Sequence, residues 1–330
     1  MKIKSLHIKN FKSIVDLTIN EPNPFTVFVG PNGSGKSNIF EALEFFISEN
    51  SFDYRMKLFG GKNDILNKNQ SENEELWFNL VLDDFHWETS KYPFKFIVPD
   101  SSKILDWDLE ESKIRDEEKK WGKIINSFSR VFVKNKEKQR INYSDDSKLT
   151  FSCDNLEKVL KRLLENKEKR EEISEWLELF LPEFDRIEVQ KSAFSRNEDL
   201  LIYQKHYKEP FNKELISDGT YNIIALLTAV YQSDEPQFLC IEEPENGLHP
   251  KVIKQLVNFF RNACEEKGHY IWLNTHSQTL VSVLDPKEII LVDKINGETQ
   301  IKQFGHDFNL HGFEMDEAWL SNALGGGLPW

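Results

Sequence analysis

Short apolar runs separated by polar breaks fill both ends of this chain, and apolar positions at helical spacing fill its middle. Before residue 30 there are three such runs, Ile3 to Ile8, Val15 to Ile19 and Phe25 to Val29, divided by Asn10-Phe11-Lys12-Ser13 and by Glu21-Pro22-Asn23-Pro24. Val15, Leu17 and Ile19 alternate with polar residues, which predicts a half-exposed strand, whereas the run from Phe25 predicts a strand buried on both faces. Ile39, Leu43, Phe46 and Ile47 then fall on one face of a helix. Ser51 to Asn73, rich in Gly, Asn, Lys and Asp, shows no clear period and is expected to be a long loop. Strand signals return at Leu76 to Leu82 and at Phe94 to Val98, with Pro93 and Pro99 as punctuation.

From residue 100 to 182 the pattern changes. Leu156, Val159, Leu160, Leu163 and Leu164 share one helical face, and Ile173, Trp176, Leu177, Phe180 and Leu181 share another. The two flank the charged stretch Glu165 to Arg170 and predict a helical hairpin within an inserted helical subdomain. Strands are expected again at Arg186 to Val189, Leu200 to Gln204, Phe238 to Ile241, Tyr270 to Leu273, Ile289 to Asp293 and Thr299 to Gln303. Asn296-Gly297 marks a hairpin turn between the last pair. The expected division is therefore 1–99, an insertion at 100–182, a return at 183–305, and an irregular tail at 306–330 that docks on its own domain or seats a partner chain.

Composition narrows the classes. A formal net charge of −13 over 330 residues argues against a dedicated duplex-binding module, although Lys134 to Arg140 (KNKEKQR) forms a local basic run that most simply reads as a solvated loop. Cys153, Cys240 and Cys264 have no metal-ligand spacing and suit packing roles in a reducing compartment. No signal-peptide core opens the sequence and no 18-residue apolar stretch occurs, so a cytoplasmic protein without membrane spans is expected.

The chemistry centres on Gly30-Pro31-Asn32-Gly33-Ser34-Gly35-Lys36-Ser37, which fits G-x-x-x-x-G-K-[ST] directly after a strand and at the start of a helix. Glycines let such a loop wrap with its N–H groups turned inward, and the helix N-terminus adds partial positive charge, so a phosphate is the expected guest. Asn32, Gly33, Ser34, Gly35, Lys36, Ser37 and Asn38 are its candidate contacts. Lys36 is expected to reach the β- and γ-phosphates, and Ser37 to ligate Mg²⁺. Lys12, in the first turn, is a further candidate for the nucleotide. The run Phe238 to Ile241 ends in Glu242-Glu243, a strand end that delivers two carboxylates: Glu242 to hold Mg²⁺ and Glu243 to orient and deprotonate the attacking water. Thr275-His276-Ser277 ends another apolar strand, where His276 can meet a γ-phosphate or that water. Ser217-Asp218-Gly219 opens a helix. Ser217 or Asp218 is there either a plain N-cap or part of a helix N-terminus presented to a nucleotide on another subunit.

Together the phosphate loop, Ser217-Asp218-Gly219, Glu242 to Pro250 (EEPENGLHP) and Thr275-His276-Ser277, in this order, resemble the ABC-type ATPases of the chromosome-maintenance and recombination-protein-F-like group. The closest likeness is to the overcoming-lysogenization-defect ATPases found in bacterial antiphage defence operons. Ile8 to Ser13 is similar to their opening segment. The resemblance implies an α/β P-loop NTPase fold, an ABC-type ATPase head with a mixed central sheet flanked by helices. It implies ATP and Mg²⁺ as ligands and a head-to-tail homodimer with two ATPs sandwiched, each held by one subunit's phosphate loop and by Ser217, Asp218 and Gly219 of the other. It also assigns metal binding to Glu242, the general base to Glu243, the interface loop to Asn246 through His249, and the γ-phosphate switch to His276. Ser-Asp-Gly-Thr in place of the transporter-type Ser-Gly-Gly-Gln, and Glu242 in place of aspartate, both fit the defence subgroup. The glutamine that such ATPases direct at Mg²⁺ has no clear counterpart, Gln70 being the candidate.

The function this implies is an ATP-driven sensor or regulatory subunit of an antiviral complex, controlling a separate effector such as a nuclease, with the dimer or a higher oligomer built on it as the assembly. The acidic pairs at Asp106/Asp108 and Asp145/Asp146 lack strand context for a nuclease site of their own. The alternative is a DNA-repair ATPase that clamps nucleic acid when ATP drives dimerisation. A transporter subunit is disfavoured by the signature, and a small GTPase by the lack of an Asn-Lys-x-Asp motif.

Overall fold

Strict alternation along four buried strands sets the layers of this protein, seen in a computed structural model that describes residues 2–47, 52–69, 76–82, 86–90, 95–96, 122–133, 147–191, 198–305, 308, 310, 312–321 and 323–324. Strand β3 (Phe25–Val29) sends Val27 and Val29 to one side and Phe28 to the other. The same division holds in β11 (Phe238–Glu242), β12 (Tyr270–Thr275) and β13 (Ile289–Ile295), whose odd and even positions join two separate cores. A sheet buried on both faces needs cover on both, and has it.

These strands form a six-stranded sheet in the order β14-β13-β3-β12-β11-β7, with β7 at Phe128–Val131 and β14 at Glu298–Gln303. Every neighbouring pair is parallel except the β13–β14 hairpin, which turns at Asn296-Gly297. The sheet is thus mixed, as expected.

On one face the helix α1 (Lys36–Phe46) is sandwiched between this sheet and a second, antiparallel one of order β2-β1-β4-β5-β6. Its members are β1 (Ile3–Phe11), β2 (Ile14–Asn20), β4 (Trp77–Leu82), β5 (His86–Ser90) and β6 (Lys95–Phe96). Aromatic edges lock the layer: Phe28 meets Phe40 and Trp272, both at 5.3 Å between ring centroids, and Phe46 stacks on Phe78 at 4.4 Å. Of the three N-terminal strands only β3 enters the central sheet.

The other face carries α4 (Leu156–Glu165), α5 (Lys167–Phe180), α6 (Asp218–Tyr231) and α7 (Pro250–Lys267). A third small sheet, β10-β9-β8 (Phe211–Asn212, Glu198–Gln204, Phe184–Lys191), lies beside α4 and α5. The expected helical hairpin is present, but its turn is a single residue. Asn166 caps α5 through its side chain, and Lys167 to Arg170 are already helical.

Two expectations change, and the expected docking of the tail on its own domain is seen for its described part. Residues 51–73 are not one loop, since α2 (Phe52–Leu58) and α3 (Lys62–Ile65) occupy part of them, both too short to show a period. The described part of segment 100–182 is not a helical body apart: β7 is a strand of the central sheet, and Leu160, Leu163, Ile173 and Leu177 share a core with Val27 and Leu239. In the tail, Met315, Ala318 and Trp319 of α8 (Met315–Leu320), together with Leu324, are buried in that same core, so the described part docks in cis. The three cysteines are free and buried. Among the described residues no helix is long and apolar enough to cross a membrane.

Candidate nucleotide site

The phosphate loop bridges β3 and α1 under tight steric terms. A Cβ on Gly30 would lie 2.0 Å from the Val292 carbonyl oxygen, so glycine is what lets the end of β3 lie against β13. Gly35 has a left-handed φ of 104°, and a Cβ there would lie 2.0 Å from Thr299 Oγ1. Thr299 braces the loop from β14: its hydroxyl donates to the Ser34 carbonyl at 3.0 Å and pairs with Ser13 Oγ at 2.6 Å. Asn38 Nδ2 in turn donates to Ser13 Oγ at 2.6 Å, so this candidate ligand holds the first turn. Asn32 and Gly33 lie exposed at the loop tip.

Two observations test whether a phosphate fits here. Ser34 Oγ is buried without a hydrogen-bond partner among the described residues, and Lys36 Nζ, buried, donates to the Gly30 and Pro31 carbonyls at 2.7 and 2.9 Å. Burial pulls the Lys36 ammonium down to a pKa of about 8, against the opposing pull of Glu243, Glu245 and Glu242. An orphaned donor and a desolvated cation beside first-turn helix amides suit an anion.

Strand β11 brings the two acids. Glu242 is buried and accepts from Ser37 Oγ at 2.8 Å through Oε2, while Oε1 accepts from Arg130. The donor set at Ser37 and Glu242 is hard oxygen. Hard oxygen donors of this kind suit a cation such as Mg²⁺ that keeps waters and shares phosphate oxygens; among the described residues there is no group of three or more His, Cys, Asp or Glu that could hold a metal.

Glu243 follows with φ 46°, a left-handed turn for a non-glycine residue that costs on the order of 1 kcal/mol. Asn274 holds that turn, because the Glu243 N–H donates to both its carbonyl and its Oδ1, each at 3.1 Å. Asn274 Nδ2 also reaches Ser37 Oγ at 3.3 Å, linking both acid positions to the loop. Glu243 Oε2 accepts from Asn246 Nδ2 at 3.0 Å, and Oε1 lies 3.6 Å from His276 Nδ1. The half-exposed Glu243 and the exposed His276 thus meet at the rim. Behind them Glu245 is buried, bonded to the Thr275 hydroxyl by one oxygen and without a partner for the other among the described residues. Burial raises its carboxyl above the ordinary range.

Ser217 caps α6 through Thr220 N at 3.1 Å, the plain capping role, and Ser217 and Asp218 are exposed. Gly219 instead lies against the acid loop, where a Cβ would be 2.3 Å from the Gly247 carbonyl oxygen. Asn222, one helical turn on, donates to the Pro244 and Asn246 carbonyls at 2.9 Å each. Gly219→Ala is therefore expected to push the Glu243–Leu248 loop off the helix, lowering turnover about 10-fold and stability by about 1–3 kcal/mol; steady-state turnover and thermal melting measure both.

The Lys12 ammonium pairs with Glu41 on α1. Gln70, the basic run 134–140 and both acidic pairs lie outside the described residues. Sequence reasoning missed Arg130, Asn274, Thr299 and Ser13. Asn274 leaves one trace, an amide interrupting an otherwise apolar strand.

A family model described as "AAA domain, putative AbiEii toxin, Type IV TA system" matches residues 25–282. A Helicobacter pylori protein named ATP/GTP phosphatase is 20% identical over 96% of this chain and 94% of its own length. The chromosome partition protein Smc of Methanocaldococcus jannaschii is 47% identical over 49 residues, 15% of this chain but only 4% of that protein. Among solved structures, an Smc head bound to the C-winged helix domain of ScpA has a TM-score of 0.58 at 17% identity over 93% of this chain and 99% of its own. An Smc head with an extended coiled coil, bound to the C-terminal domain of ScpA derived from Pyrococcus furiosus, has a TM-score of 0.56 at 15% identity over 92% and 96%. At such identities the structural likeness speaks for the fold, whereas the family match spans most of the chain: the protein belongs to that AAA-domain family and is a P-loop ATPase with the fold of the Smc heads.

Proposed function

We propose that this ATPase works as a homodimer with two ATPs sandwiched between subunits, and that its nucleotide state controls a separate effector in a bacterial antiviral system. The observation that carries the dimer is the outward presentation of both half-sites. Glu243 and His276 lie at the rim of the phosphate loop's site, while Ser217 and Asp218 are exposed at the N-terminus of α6, which is fastened to the Glu243–Leu248 loop through Gly219 and Asn222. In the sandwich, Lys36 and the loop amides bind the β- and γ-phosphates, and the partner's α6 N-terminus closes over the γ-phosphate. Ser37 and Glu242 would hold Mg²⁺, which when bound neutralises phosphate charge. Glu243 takes the proton of the attacking water as its oxygen bonds to the γ-phosphorus and ADP leaves. His276 hydrogen-bonds the γ-phosphate and registers its loss.

The effector role draws its support from the family description, which names a toxin system. A DNA-clamping repair role has the short match to chromosome partition proteins in its favour and the net charge of −13 against it. The test is the solution mass of the Glu243→Gln protein with and without Mg-ATP, repeated with short duplex DNA and with the product of a neighbouring gene. A shift from monomer to dimer on ATP alone supports the sandwich. Co-migration of the neighbouring protein favours effector control and that of DNA favours the clamp, while a monomer in every condition would falsify the dimer.

A further inference from the structure

Arg130 is a buried cation set among three carboxylates, and the nucleotide chemistry above does not use it. It sits on the edge strand β7, paired in register with Cys240, so its side chain leaves the sheet on the same face as Glu242 and toward α1. Its Nε donates to Glu242 Oε1 at 2.7 Å and its Nη2 donates to the same oxygen. Its Nη1 donates to Glu44 Oε2 at 2.5 Å, and Nη2 lies 3.8 Å from Glu41 Oε1. The Phe151 ring covers the guanidinium, with Cζ 4.7 Å from the centroid. Glu41 and Glu44 are three apart on α1 and so share a face, and both are buried together with Arg130 and Glu242.

A cluster of this kind is a poor way to gain stability, since desolvating a guanidinium and three carboxylates costs about as much as their attraction returns. It does fix geometry. Glu242 has two carboxylate oxygens and free rotation about its last bond. With Oε1 taken by two N–H groups of one rigid fork, Oε2 is the oxygen left to face Ser37, where it lies at 2.8 Å. Glu242 is also one methylene longer than an aspartate, and that reach lets one side chain span from Arg130 to the Ser37 hydroxyl.

We infer that Arg130 is a positioning residue for metal-assisted nucleotide binding: it anchors Glu242 to α1 and aims a single carboxylate oxygen at the cation held beside Ser37. The inference rests on the reading of Glu242 as the metal-binding acid. Lysine at 130 retains the charge but loses the fork that grips one oxygen with two parallel donors, so the carboxylate regains its rotation and the cation loses a pre-aimed ligand. Partners that orient a metal ligand are typically worth about 10–100-fold in metal affinity.

The experiment measures the affinity of a fluorescent non-hydrolysable ATP analogue in EDTA and again in saturating Mn²⁺, the ratio being the metal's contribution. In Arg130→Lys the affinity in EDTA should stay within about twofold of the parent, while the ratio falls by about 10-fold. Glu242→Gln should lower the ratio at least as far, and the double variant should be no worse than Glu242→Gln alone, since one residue acts through the other. A normal ratio in Arg130→Lys beside a lowered one in Glu242→Gln overturns the role of Arg130 and leaves the reading of Glu242 standing. A normal ratio in Glu242→Gln overturns that reading and the inference with it. Should Arg130→Lys fail to fold, as loss of binding in EDTA and a collapsed melting transition would show, Glu44→Gln decides. It leaves Arg130 in place with a weaker tether, and the ratio should fall by about threefold; an unchanged ratio there overturns the inference.

Discussion

Glu243→Gln is expected to cut ATP turnover by about 10³-fold while leaving ATP affinity within about threefold, the signature of losing a general base and nothing else. The substitution keeps shape. A glutamine carbonyl can still accept the Asn246 Nδ2 hydrogen bond now made at 3.0 Å, and the backbone turn at φ 46° is held by Asn274 through the residue's own N–H, independently of the side chain. What disappears is the capacity to take a proton from the attacking water. With the nucleotide contacts proposed for the phosphate loop and Lys36 left intact, binding should persist, and the ATP-bound state should accumulate because its exit by hydrolysis is slowed. Single-turnover hydrolysis set beside equilibrium binding of ATP separates the two quantities. Turnover near that of the parent protein would place the base elsewhere, with His276, 3.6 Å from the Glu243 carboxylate, the next residue to replace.

What the sequence made legible follows from how local each signal is. The phosphate loop, the acid pair and Thr275-His276-Ser277 are contiguous strings at the carboxyl ends of apolar strands, and a parallel sheet gathers such ends on one edge whatever lies between them. The residues that brace the site are not contiguous with it. Thr299 reaches the loop from 265 positions beyond Ser34, and in sequence it is an ordinary threonine in a strand. Arg130 was hidden for another reason. A buried arginine disrupts the apolar pattern of a four-residue strand, so β7 reads as part of a charged helical region until Glu44 and Glu242 are seen to neutralise it. The partner of Lys12 was hidden likewise, since the carboxylate it meets, Glu41, lies 29 positions on in α1. Short helices such as α3, only four residues long, carry too few positions for a period to emerge.

Lys36→Ala is expected to weaken nucleotide binding by about 100-fold, the scale of a charge-assisted hydrogen bond lost from a desolvated site. A further consequence concerns pH. The ammonium has a pKa of about 8 in the nucleotide-free protein, against 10.5 for the ordinary side chain, chiefly because it is buried. Between those values the unfolded chain holds a proton that the folded chain has released, so the lysine's penalty on folding is present in full below pH 8 and relieved as pH rises toward 10.5. Binding runs the other way. The phosphates need the charged form, so affinity for a non-hydrolysable ATP analogue in EDTA should be flat below pH 8 and fall by up to about tenfold per pH unit above it. Lys36→Arg, which stays charged throughout, should have lower affinity but a flat profile over pH 7–9.5. A parent profile that is flat across the same range would mean that Lys36 is not the cation the phosphates meet. The burial that penalises the free protein is then also what makes the loop wait for an anion: the two carbonyls now bonded to Nζ, Gly30 and Pro31, satisfy two of its three hydrogens but not its charge.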